Sequence, residues 1–208
     1  MNIYERSNQL IDAIYNELND RVLLDAGART KLAYHCCEIS IKHGIGVRVL
    51  IEQKLYASAL GIFRMQFESV LRSYWIFLVA SNDEILKLDC GTMDEWLENH
   101  KVPMISKTLD ELSHVKEIEG LVKQFREFQI YSVNHLNSVV HTGKYSFMHD
   151  QIGLGNKLEK QIICQSNNLI LMIAQLLFRH AGIETKTHEI GKRFSDCLQV
   201  DDKQINNN

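Results

Sequence analysis

Apolar residues recur at spacings of three and four along most of this chain. Ile3, Leu10, Ile11, Ile14, Tyr15 and Leu18 form the first such stripe, the signature of a helix with one buried face. Further stripes predict helices over residues 28–43, stopping near Gly44, and over 47–81, kinked near Gly61. Two more are expected over 121–142 and 156–181, with short helices at 93–99, 106–118 and 187–198. Residues 143–155 read as a polar, glycine-bearing loop. Residues 201–208 are too polar to pack and are expected to be disordered. No alternating segment is bounded by Asn-Gly or Asp-Gly turns. Pro103 is the one proline, so little else interrupts helix. The fold class expected is all-α: a single-domain bundle of about five main helices plus short connecting helices, spanning 1–200 ahead of a polar tail.

Composition narrows this picture only slightly. With 208 residues, 45% hydrophobic and 24% charged, the chain can bury a core without staples. A formal net charge of −3 means that nucleic-acid binding needs a local basic patch. The five cysteines include no CxxC pair, and Met1 to Arg6 is polar rather than signal-like, so a reducing, cytoplasmic setting is expected. The most apolar run, residues 73–80, is too short to cross a bilayer and reads as a core helix; no membrane partner is expected. No Gly-rich phosphate loop or nucleophile elbow occurs. Cys36-Cys37 beside His35 point in different directions on a helix, and His141 and His149 lack carboxylates at ligand spacing. No cofactor and no metal are expected.

Two polar stripes stand out against the apolar pattern. Asn134, Asn137, Ser138 and His141 lie at offsets of three, four and seven, on one helix face. His141 falls in the last turn before Thr142-Gly143, where the helix dipole favours an imidazolium. Arg64, Glu68 and Arg72 lie at i, i+4 and i+8 among Leu60, Phe63, Phe67, Val70 and Leu71. One reading of that row is an ion-pair ladder on a solvated face. The other turns Arg64 and Glu68 toward the helix that carries His141.

The segment Phe63-Arg64-Met65-Gln66-Phe67-Glu68, with Tyr131 and the later Leu136-Asn137-Ser138-Val139-Val140-His141, resembles the HEPN-like helical proteins, including bacterial abortive-infection members. The resemblance covers residues 55–143 and implies a defence or toxin role, metal-independent RNA cleavage and a homodimer. Active members carry an arginine separated from the histidine by four to six intervening residues. Counting back from His141, those positions hold Leu136, His135 and Asn134, so the expected guanidinium is absent. Asparagine offers a hydrogen bond but no charge.

The chemistry that the resemblance implies is general acid–base. His141 would move the 2′-hydroxyl or leaving-group proton, Asn134 and Asn137 would position the phosphate, and Arg64 beside Glu68 would supply the charge, with Arg72 or Arg126 as substitutes. Lys144, Lys157 and Lys160 flank the following loop and suit phosphate. The rival expectation is a non-enzymatic module on the same scaffold, binding a partner protein of a defence or toxin–antitoxin system, with the polar stripes as a structural network.

Overall fold

A computed structural model describes residues 2–19, 27–89, 102–130 and 134–198. The described residues hold ten α-helices and two 3-10 turns and no strand, so the chain is an all-α helical bundle. The helices are α1 (Ile3–Leu18), α2 (Ala28–Glu52), α3 (Tyr56–Leu78), α4 (Asn82–Leu88) and α5 (Ile105–Leu112). After a 3-10 turn at Lys116–Ile118 come α6 (Glu119–Phe128), α7 (Asn134–Val140), α8 (Lys144–Ile152), α9 (Asn156–His180) and α10 (Thr185–Arg193), followed by a 3-10 turn at Ser195–Cys197. The expected short helix at 93–99 and the polar tail lie outside the described residues.

The first correction concerns Gly44. The helix does not stop there; α2 runs through Gly44 and Gly46 for 25 residues. A Cβ at Gly44 would lie 2.8 Å from Gln66 Nε2 and 2.9 Å from Ile170 Cδ1. The glycine therefore marks close approach of α2 to α3 and α9, not a helix end. At that crossing the buried Gln66 Nε2 donates to the Ser166 carbonyl at 3.0 Å, and Ser166 Oγ donates to Gln66 Oε1 at 2.7 Å. Both residues are fully buried, so this reciprocal pair fixes the register of α3 on α9.

The real break comes at residues 53–55. There Lys54 takes φ 59°, while Lys54 N–H donates to the Ile51 carbonyl and Leu55 N–H to the Leu50 carbonyl. This is a Schellman cap built on a lysine. α3 then continues unbroken past Gly61.

α3 is the axis of the molecule. Phe63, Phe67, Val70, Leu71, Tyr74, Trp75 and Ile76 are all buried, and α2, α5, α7, α8 and α9 pack around it. α6 and α7 descend α3 in the reverse direction. Phe125 meets Tyr74 and Phe67, Phe128 meets Phe67 and Phe63, and Val140 reaches the level of Gly61. α1 and α10 close the far side of α9.

Of the described helices, α9 alone has the length and hydropathy to cross a bilayer, and 67% of its apolar window is buried. It is a core helix.

Candidate functional site

The single helix expected over 121–142 is two, α6 and α7, and the loop expected over 143–155 holds α8. The stripe ending at His141 therefore rides on a helix of two turns. α7 ends in a second Schellman cap: Gly143 N–H donates to the Ser138 carbonyl at 2.6 Å and Thr142 N–H to the Val139 carbonyl at 3.1 Å. Thr142 takes the left-handed turn, φ 52°. Gly143 is needed for room, because a Cβ there would fall 2.5 Å from Ser138 Oγ and 2.9 Å from the Ser138 carbonyl oxygen.

The stripe does not share one environment. His141 lies exposed, with its backbone N–H on the Asn137 carbonyl. Ser138 is half-buried, and its Oγ takes a long contact, 3.5 Å, from Tyr145 N–H. Asn137 is half-buried, and its Oδ1 is buried with no hydrogen-bond partner. Asn134 opens α7, and its side chain lies outside the described part of the structure, as does Tyr131.

Arg64 and Glu68 follow Gly61 at three and seven, so they share the α3 face that α7 covers. Asn137, one turn before Val140, falls level with Arg64, one turn after Gly61. Arg64 Nε lies 3.0 Å from Glu68 Oε1, with the two side chains 21% and 26% exposed. The distance is that of an ion pair, but Nε makes no aligned hydrogen bond. The guanidinium is thus already balanced by its own helix. The other substitutes are elsewhere: Arg126 bonds Asp110 at 2.9 Å, and the charge of Arg72 acts on the Cys36 thiol of α2.

Sequence reasoning missed the tightest polar cluster in this region. His135 Nε2 and His149 Nε2 are 2.8 Å apart. One must donate and the other accept, so a single proton sits between them. Tyr145 stacks on His135 at 4.0 Å between ring centroids, 13° from parallel. His149 is 2% exposed, and its Nδ1 is buried without a partner. Burial holds both rings below the ordinary histidine value, and His149 adds to the effect at His135; a backbone contact at Gly153 opposes it at His149. The one signal in the sequence was Tyr145 four residues before His149, legible only once 144–152 is read as helix.

Among the described residues no three His, Cys, Asp or Glu side chains converge as a metal would require. A groove of about 760 Å³ opens between α6, α9 and α10, floored by Phe67, Phe125 and Phe128 and edged by Glu117 and Glu127. No residue of α7 or α8 lines it.

A family of unknown function, DUF6988, matches this chain over residues 37–200. The chain belongs to that family. The DUF6988 match takes in α3, α7 and α8 whole, and it begins inside α2, leaving α1 outside. No curated protein and no solved structure matches the chain.

Proposed function

We propose that this DUF6988 chain is an HEPN-like protein of a bacterial defence or toxin system, cleaving RNA in the cytoplasm without a metal. The observation that carries the reading is His141: an exposed imidazole at the capped end of a helix lying on the Arg64–Glu68 face. An exposed ring can exchange protons with substrate and solvent, as a general acid or base must. Asn137 is level with Arg64, and its amide reaches an oxygen through Nδ2 after a half-turn of the side chain. Strain at Thr142, a β-branched residue held at positive φ, lies next to the ring, where backbone strain commonly accompanies function. Exposed Lys144, Lys157 and Lys160 supply positive charge at the neighbouring helix starts. The proposal includes a homodimer, supported by exposed Val140, Phe147 and Ile152 on and just after α7.

The test is RNA incubated with purified protein in EDTA. Cleavage should appear with wild type and vanish with His141→Ala. Intact RNA across several folded and single-stranded substrates at high protein concentration sinks the catalytic reading.

A second reading, a non-enzymatic partner-binding module, is favoured by one observation. Arg64 is held by Glu68 at 3.0 Å, and a phosphate must compete with that carboxylate. On this reading Glu68→Gln leaves RNA intact and lowers the melting temperature, since it strands a half-buried guanidinium. On the catalytic reading the same substitution frees Arg64 and changes the cleavage rate.

A further inference from the structure

Arg48 lies in the second half of α2 and is 3% exposed. Its Nη2 donates to Asn8 Oδ1 at 3.1 Å, while Nη1 is buried with no partner. No described carboxylate forms an ion pair with it. The neighbouring cation, Arg6, is already neutralised by Asp196, with Nε 2.9 Å from Oδ2. Burial brings Arg48 down to about 10, and the one group that pulls it back is Cys197, in the C-terminal 3-10 turn. A buried charge without a counter-charge is among the costliest arrangements in a protein.

A complementary group stands in the same cluster. Asn167 of α9 is fully buried, and its Nδ2 donates to Ser7 Oγ and to the Cys197 carbonyl, each at 2.8 Å. Its Oδ1, an acceptor, has no partner. Ser7 and Asn8 are chain neighbours, and Cys197, whose carbonyl Asn167 bonds, lies within electrostatic range of Arg48. So α1, α2, α9 and the C-terminal turn contribute to one cluster that holds a free donor nitrogen, Arg48 Nη1, and a free acceptor oxygen, Asn167 Oδ1, both buried.

We propose that Arg48 is the receptor for a carboxylate that enters beside the C-terminal turn, with Asn167 Oδ1 accepting an N–H that arrives with it. A carboxylate suits this place better than a phosphate. One planar guanidinium fork matches one planar monoanion, and Arg6, the other cation close by, is already bound to Asp196. Two sources share the chemistry. One is the acidic pair Asp201-Asp202, three and four residues past Leu198 and within a chain reach of about 10–14 Å. The other is a small free carboxylate.

The experiment is thermal unfolding of the full chain at pH 7. It uses Asp201→Asn with Asp202→Asn, in the wild-type and Arg48→Gln backgrounds, in sodium formate or sodium chloride at equal ionic strength. If the tail supplies the group, the double variant melts several degrees below wild type, and the loss disappears in the Arg48→Gln background. If a free carboxylate does, formate raises the melting temperature of wild type above its value in chloride but leaves Arg48→Gln unmoved. If neither contrast appears, the proposal is overturned. Should Arg48→Gln not fold, two readouts on the wild-type chain decide. A carbon-detected NMR titration finds either Asp201 or Asp202 below the ordinary aspartate value of about 3.9, or both at it. The formate contrast is then read on the wild-type chain alone. Ordinary values with no formate effect overturn the idea equally.

Discussion

At the scale of single residues, burial separates the two imidazole systems near α7. His141 is exposed and has no side-chain partner among the described residues. His141→Ala should therefore change stability by no more than about 0.5 kcal/mol, checked by urea unfolding. A larger loss would show that the ring is structural and would make a loss of RNA cleavage uninformative. His149 is the opposite case. His149→Ala removes a buried ring and strands His135, at a cost of about 2 kcal/mol in the same measurement. The pair also fixes a pH dependence. Both rings titrate below their unfolded value of about 6.5, so the unfolded chain takes up protons first as pH falls. Their contribution is complete above that value and is lost as pH drops through 6.5 toward the lowered folded values. Urea midpoints should fall between pH 7.5 and 5.5 in wild type, and fall less in a His149→Gln variant. Equal falls in the two proteins would assign the dependence to other groups.

At the scale of elements, the sequence made helices legible and left their ends obscure. The three- and four-residue periodicity locates α1, α3 and α9 because each turns a long apolar face to one core. Glycine was the unreliable sign. Gly44 looks like a stop and is a contact point, whereas the break at 53–55 is capped by Lys54, which carries no turn signal. The same cause hid the pairing of His135 with His149, because α8 is short and polar enough to read as loop. The candidate residues were legible as a list, and their separate fates were not. The Arg64–Glu68 pair is local, i to i+4, and its spacing was legible, but which helix that pair faces, and whether His141 is buried, depends on how α6 and α7 descend α3, which no local pattern encodes. Gly44 also gives a sharp prediction for the α2–α3–α9 crossing. Gly44→Ala puts a methyl within 3 Å of Gln66 and Ile170. It should destabilise by about 1–3 kcal/mol despite the better helix propensity of alanine, as calorimetry would read. A stabilised Gly44→Ala protein would mean that the crossing relaxes at no cost.

At the scale of the whole molecule, the family boundary and the folding boundary differ. DUF6988 begins at residue 37, yet Leu10 and Ile14 of α1 are 0% and 1% exposed, and Ser7 accepts from the core amide of Asn167. A chain starting at residue 27 should lose its cooperative thermal transition, because α9 would lose a wall along its buried face. A sharp transition in that truncated protein would make α1 an accessory. The same dependence has a consequence for synthesis. Until α9 is packed, its 25 residues have the length and hydropathy of a membrane anchor, and targeting factors that scan emerging chains read those two properties. Three of its packing partners, α1, α2 and α3, precede it in the chain, while α10 and the C-terminal 3-10 turn follow it, so part of the surface that covers α9 can be ready when it leaves the ribosome. Deleting α1 would therefore leave a helix of anchor-like length and hydropathy with one wall fewer at the moment it emerges, as well as weaken the folded chain.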